Sequence, residues 1–155
     1  MKRVFQTVLL LTAVVFAFCM GTGTAEGTEI QLPDKVHFLK IPENALFQAP
    51  DPDETDLKGI YLLPPDLEME IFAYEMQEVT VWSLAEALTN AGQDAQVREI
   101  AGMEFLVFRD MDEADGANCI GYGYIQDGQM IEISFFYATQ DAMDLTKIIM
   151  ESFHS

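Results

Sequence analysis

The stretch with the highest density of reactive side chains is residues 110–116, DMDEADG, where four carboxylates and a glycine occupy seven positions. Carboxylates at alternate positions are typical of calcium-binding loops. An EF-hand loop also requires an oxygen ligand at its fifth position, a glycine at its sixth and a glutamate at its twelfth. Counted from Asp110, those positions hold Ala114, Asp115 and Gly121. The pattern therefore favours a solvated turn between two strands, with weak adventitious cation binding as the alternative.

A second acidic cluster lies in residues 48–56, QAPDPDETD, which combine two prolines with four acids. Prolines at positions 50 and 52 predict a loop. Carboxylates that no backbone geometry arranges in advance bind calcium only weakly. We expect neither a metal site nor a cofactor in this chain.

Nucleophilic chemistry would depend on Cys119, and its surroundings in the sequence do not favour it. A reactive thiolate requires a nearby base or positive charge. The two histidines are His37, which we expect to be an exposed strand residue, and His154 at the C-terminus. Cys119 lies among acids and is predicted to be a small buried residue. Because no G-x-S-x-G, phosphate-binding or H-E-x-x-H motif occurs either, the sequence predicts a protein that is not an enzyme.

The alternative from a different class is a hydrolase that uses paired carboxylates on extracellular polymers. With 26 acidic residues, the sequence offers many such pairs and singles out none. Trp82 could serve as a sugar platform, but its position before Ser83 suits a hydrophobic contact with Ala87 at a helix start. A purely structural module of the cell envelope is a third option.

The first 25 residues are typical of an export signal. Lys2 and Arg3 precede an apolar run over residues 8–18, and Gly23 and Ala25 have the spacing that a signal peptidase accepts. We expect cleavage after Ala25 and a secreted or envelope location. Attachment through Cys19, or an uncleaved signal, is the alternative. The apolar run is shorter than the ~20 residues of a membrane span.

Charge excludes one class of partner. The net charge is −18, and removal of residues 1–25 leaves six basic against 26 acidic residues, or −20. Such a surface repels DNA, RNA and anionic lipid. Removal of the signal also leaves Cys119 as the sole cysteine, so no intramolecular disulfide can form.

The remaining chain has the length of one domain. Residues 26–34 are predicted to be a flexible lead-in, followed by a single α+β domain over 35–155. Strands are expected near 35–42, 58–63 and 67–76, then a helix capped by Ser83 and Glu86, two hairpins, and a final helix over 140–153. The final helix has an apolar stripe that includes Leu145, Ile148, Ile149 and Phe153.

The hairpin over residues 118–138 marks a candidate surface. Asp127-Gly128 suits a two-residue type I′ turn, which pairs Gly121 with Ser134 and Gly123 with Glu132. Two glycines in one strand indicate that something approaches the backbone closely. We expect these four residues to form a trough that receives a helix of the same chain or an external partner. The alternative is that the glycines only relieve strand twist or mark a bulge.

The segments HFLKIPENALF, LEMEIFAYEM, WSLAEAL, EIAGMEFLVF and the ending IEISFFYATQDAMDLTKIIMESF resemble, in pattern and order, the PsbP/Mog-like superfamily of small extracytoplasmic domains. The similarity covers roughly residues 36–153. It implies an antiparallel sheet of about six to seven strands between helices. It also implies a binding or adaptor role toward a protein or envelope component that the sequence does not identify.

Overall fold

A computed structural model describes residues 27–111 and 117–155, in which the chain forms nine strands and two helices. In chain order they are β1 Gly27–Gln31, β2 Phe38–Pro42, β3 Leu46–Gln48, β4 Leu57–Leu63, β5 Leu67–Glu75, α1 Val81–Asn90, β6 Asp94–Ile100, β7 Met103–Met111, β8 Asn118–Gln126, β9 Gln129–Tyr137 and α2 Gln140–Glu151. This order confirms the α+β class that the sequence predicts. Neither helix in the described ranges is long and apolar enough to cross a membrane.

Seven strands form one antiparallel sheet in the order β3-β4-β5-β9-β8-β7-β6, and β1 pairs with β2 in a separate hairpin. Two tight turns determine the pairing on one side of the sheet. Ala101-Gly102 and Asp127-Gly128 have positive φ at both residues, as a two-residue type I′ turn requires. The second turn places Tyr124 opposite Ile131, which is the predicted register.

The main core lies on the face of the sheet that carries α2 and the β1–β2 hairpin. Alternate residues of the central strands, including Tyr124, Ile131 and Phe135, are fully buried there. Ile149 of α2 and Phe153 beyond it pack onto the same cluster. Burial of each such aliphatic or phenylalanine side chain stabilises the fold by about 1.5–3 kcal/mol.

Helix α1 covers part of the opposite face, which we call the α1 face, and packs Val81 and Ala85 against Leu106 and Met130. The helix is capped by Thr80, whose hydroxyl accepts a hydrogen bond from the Ser83 N–H while Ser83 Oγ accepts one from the Thr80 N–H. The capping box predicted at Ser83 and Glu86 is therefore wrong.

Two other expectations differ from the structure. Residues 27–31 form β1, and Leu32 after them is 1% exposed, so the flexible lead-in predicted at 26–34 is wrong. In α2, Ala142, Thr146 and Met150 are buried while Ile148 is exposed. The helix is therefore rotated relative to the predicted stripe. Burial of Thr146 is tolerated because its hydroxyl donates to the Met143 carbonyl, at 2.7 Å.

Candidate functional site

The four residues predicted to form a trough lie together on the α1 face. Gly121 is opposite Ser134, and Gly123 is opposite Glu132. On the other side of β9, Glu70 of β5 is also opposite Ser134. The register of the hairpin is therefore as predicted, and the four residues share one surface of β8 and β9.

The glycines make room for side chains of the neighbouring strands. A β-carbon at Gly121 would collide with the ring of Phe108 on β7, and one at Gly123 with the terminal methyl of Met130 on β9. Met130 packs in turn in the cluster that holds Val81 of α1. The close approach thus comes from two side chains of the sheet, whereas partner binding at this surface stays a prediction.

Glu132 is held on this surface by a short hydrogen bond, since Ser134 Oγ donates to Glu132 Oε1 at 2.7 Å. Burial raises the pKa of Glu132, and the hydrogen bond from Ser134 opposes that shift only in part. Burial therefore disfavours the charged carboxylate relative to the protonated acid. A raised carboxyl pKa is a property that general acids need, so it bears on the hydrolase alternative.

Glycoside hydrolysis requires a second carboxyl across a cleft that holds the sugar. Glu70 is diagonal to Glu132 across β5 and β9. Two grooves formed by described residues lie elsewhere, one between α1 and β6 and one at the β1–β2 turn, and neither carboxyl lines them. These grooves therefore provide no cleft in which Glu70 and Glu132 could act together.

Cys119 lies on the same face in an environment that keeps its thiol protonated. It is a buried free cysteine. Burial raises its pKa to about 12, and the carboxylates of Glu132, Asp110 and Glu70 add to the shift. The thiolate is the nucleophilic form, and a raised pKa disfavours it. The burial of Cys119 confirms the prediction of a small buried residue.

A buried polar network joins the β1–β2 turn to the centre of the sheet, and sequence reasoning missed it. Tyr124 donates its hydroxyl to Asp34 Oδ2 at 2.6 Å, and His37 Nδ1 lies 2.6 Å from the same oxygen. Asp34 Oδ1 also accepts the N–H groups of Val36 and His37. His37 is 5% exposed and stacks on Phe153, so the prediction of an exposed strand residue is wrong.

The electrostatics of Asp34 follow from this network. Burial alone would raise its pKa, but the hydrogen bonds from Tyr124 and His37 outweigh burial and hold the pKa below its usual range. Burial raises the pKa of Tyr124, and its hydrogen bond to Asp34 adds to the shift. The network is fully bonded and fastens the turn to the sheet, which indicates a structural role.

Exposed apolar side chains are concentrated at the β3 edge of the sheet. Leu46 and Phe47 of β3 are 67% and 59% exposed. Leu46 is opposite Leu62 on the α1 face, and Phe47 is opposite Tyr61 on the α2 face, with ring centroids 5.2 Å apart. We call these four residues the edge patch. A clustered apolar surface of this kind marks an interaction site more often than scattered single residues do.

The groove between α1 and β6 contains the tryptophan. Residues of α1 line one side, namely Trp82, Ser83, Ala85, Glu86, Thr89 and Asn90, and Ala95, Gln96 and Val97 of β6 line the other. Trp82 is 59% exposed. The predicted contact of Trp82 with Ala87 at the helix start is therefore wrong, because Thr80 rather than Ser83 caps α1 and the indole faces solvent.

The acidic segments bring no metal cluster together in the described ranges. Within residues 27–111 and 117–155, no group of three or more His, Cys, Asp or Glu is placed to hold an ion. Asp51, Asp53, Glu54 and Asp56 are all exposed, and the Asp51 carboxylate accepts the N–H of Asp53 inside the loop. Residues 112–116 of the other acidic segment lie outside the described residues.

No family model and no curated protein matches the chain, but solved structures do. The cyanobacterial PsbP (CyanoP) of Synechocystis sp. PCC 6803 superposes with a TM-score of 0.58 at 13% identity, over 89% of this chain and 97% of that one. The chain has the PsbP-like fold. This confirms the fold resemblance stated from the sequence.

Two further structures share the fold of this PsbP-like domain. LpqN, involved in cell envelope biogenesis of Mycobacterium tuberculosis, has a TM-score of 0.51 at 12% identity, over 83% of this chain and 89% of that one. A protein from Bacteroides thetaiotaomicron VPI-5482 has a TM-score of 0.61 at 10% identity, over 84% of this chain and 48% of that one. At these identities the likeness concerns the fold alone.

Proposed function

We propose that this PsbP-like domain is a non-catalytic binding domain that works outside the cytoplasm and holds a protein or envelope component through the edge patch. The observation that carries the proposal is the exposure of Leu46 and Phe47, which place large apolar side chains on opposite faces of a sheet edge. Their exposure costs hydrophobic stabilisation that a partner could recover by covering them.

The surroundings of the edge patch suggest what the partner offers. The loop between β3 and β4 carries Asp51, Asp53, Glu54 and Asp56, all exposed, and Glu68 of β5 is opposite Leu62. Apolar centres with charged rims are typical of protein interfaces. A partner surface with an apolar centre and basic rim would therefore complement the edge patch.

Photo-crosslinking in the source organism tests this proposal. A photoreactive amino acid at Leu46 should form a discrete adduct, and the same group at Ile148 of α2, which is 57% exposed, should form none. Adding Phe47→Ser should abolish the Leu46 adduct while the melting temperature falls only slightly, because Phe47 is 59% exposed and loses chiefly its ring contact with Tyr61. Equal adducts at both positions, or an adduct that survives Phe47→Ser, would remove the edge patch as the binding surface.

The extracytoplasmic part of the proposal is supported by the sequence of the first 25 residues, which lie outside the described ranges. The mature protein should begin at Glu26, because Gly23 and Ala25 satisfy the signal peptidase. N-terminal sequencing of protein from the envelope or medium checks this. Retention of Met1, or a start at Cys19, would contradict the secreted form.

A further inference from the structure

The groove between α1 and β6 presents the only tryptophan of the chain to solvent. Trp82 is 59% exposed. Tryptophan supplies a large aromatic surface, and its exposure at the rim of a groove is typical of binding sites. The groove is open to solvent and has a volume of about 620 Å³, comparable with the about 300–1,000 Å³ found for ligand sites.

A polar stripe continues from Trp82 along α1. Glu86 follows it at i+4 and Asn90 at i+8, which places all three side chains on one side of the helix. Thr89 donates its hydroxyl to the Ala95 carbonyl at 3.3 Å and so ties the helix to the strand. In the described ranges, neither the Glu86 carboxylate nor the Asn90 amide makes a hydrogen bond or ion pair within the chain. These groups are therefore available to a ligand.

The opposite wall of the groove is an edge of the sheet. The strand order ends at β6, which pairs with β7 on one side only. The outer backbone groups of such an edge can accept an extended segment of another chain. Two arginines near this edge have partners within the chain. Arg109 forms an ion pair with Asp94 at 3.5 Å, and the Gln96 amide oxygen can accept hydrogen bonds from the Arg98 guanidinium.

We propose that this groove binds an arginine side chain presented by an extended, basic segment of a partner protein. The guanidinium would stack on the Trp82 indole, the aromatic side chain with the strongest cation–π attraction. It would donate to the Glu86 carboxylate, and its planar fork of donors suits that geometry better than the lysine ammonium does. The net charge of −18 attracts a basic segment and repels an acidic one.

The site is separate from the edge patch. The β3 and β6 strands lie at opposite ends of the seven-stranded sheet, roughly 29 Å apart at about 4.8 Å per strand spacing. A negative result for the edge patch therefore does not bear on the groove at β6, and the reverse also holds. The crosslinking at Leu46 and the experiment below give independent answers.

The emission of the intact protein tests the proposal directly, since Trp82 is its only tryptophan. The probes are three blocked hexapeptides in which threonine alternates with arginine, lysine or glutamate. The arginine peptide should quench or shift the emission saturably, the lysine peptide should bind more weakly, and the glutamate peptide should not bind. Rising salt should weaken binding because both partners are charged.

Two substitutions with the same change in charge separate a site from general attraction. Glu86→Gln should weaken binding of the arginine peptide by about ten-fold. Glu151→Gln, at an exposed position on α2, should weaken it by less than about two-fold. Trp82→Leu, followed by calorimetry and checked for folding by thermal melting, should also cost about ten-fold.

Equal weakening by Glu86→Gln and Glu151→Gln would overturn the proposal, because binding would then reflect the acidic surface as a whole. Absence of a saturable signal with the arginine peptide would overturn it as well. A response to cellohexaose but not to the peptide would assign the groove to a glycan and reject the arginine site.

Discussion

Valine at position 121 should destabilise the domain by about 1–3 kcal/mol, the usual cost of overpacking. The added side chain would occupy the space of the Phe108 ring. Phe108 is half-buried and packs in the cluster under α1, so it cannot move aside without losing contacts there. The loss should appear in urea unfolding as a lower midpoint with an unchanged slope.

Gly123→Val is the matched control, since it lies two residues along the same strand. Its added side chain would meet the terminal methyl of Met130, the end of a flexible side chain that can adopt another rotamer. Its cost should therefore be less than about 1 kcal/mol. The pair Gly121→Val and Phe108→Ala should lose less stability than the two single changes added together, because Phe108→Ala removes the ring that the valine meets and the valine fills part of the space that the ring leaves. If the two losses in unfolding free energy simply add, the absence of a side chain at Gly121 does not serve to make room for the Phe108 ring.

Removal of the buried carboxylate at Asp34 should have a larger effect. Asp34→Ala is expected to cost about 3–5 kcal/mol at neutral pH, because the Tyr124 hydroxyl, the His37 ring and two backbone N–H groups all lose their partner. The Asp34 side chain is 3% exposed, and Tyr124, fully buried, would lose the acceptor of its hydroxyl. An unpaired buried hydroxyl carries a desolvation penalty of about 1–3 kcal/mol.

Urea unfolding of Asp34→Ala, Tyr124→Phe and the double variant tests the network. Once Asp34 is gone, Tyr124→Phe should cost little or even restore stability, because no acceptor remains for the hydroxyl. Asp53→Ala, at an exposed loop position, is the control and should stay within about 0.5 kcal/mol of the wild type. Independent effects of the Asp34 and Tyr124 substitutions would show that the two side chains are not coupled.

The contribution of Asp34 to stability should decrease as the pH falls. The folded pKa of Asp34 lies below its usual value of 3.8, so its contribution is fully present above that value and is lost as pH falls through the folded pKa. The wild type should therefore lose stability more steeply than Asp34→Ala as the pH is lowered below about 4. Parallel profiles of the two proteins would contradict the shift.

Local patterns were sufficient to predict much of the sheet. Asp127-Gly128 set the register of β8 against β9, with Gly121 opposite Ser134 and Gly123 opposite Glu132. The trough residues followed from that register. Each of these inferences depends on neighbours a few residues apart in the chain, where turn geometry and period-two alternation act directly.

Contacts between distant segments were not predictable in the same way. Tyr124 and Asp34 are 90 residues apart, and nothing in either local pattern links them. The stretch LPDKVHF did contain a signal for the turn, because aspartate after proline often caps backbone N–H groups two or three residues on. The exposure of Trp82 was missed because two residues able to cap a helix, Thr80 and Ser83, lie three positions apart. The helix begins after Thr80, and Ser83 lies in its first turn.

Cys119 has a consequence for the redox behaviour of the domain. Burial and the neighbouring carboxylates raise the pKa of the Cys119 thiol to about 12, so almost none of the thiol is ionised at neutral pH. Oxidation and disulfide exchange both proceed through the thiolate, so oxidants and foreign disulfides should react with the native domain extremely slowly. A single unpaired cysteine is ordinarily a route to cross-linked dimers in an oxidising compartment. Here the carboxylates and the sheet that surround Cys119 protect the folded protein from that reaction.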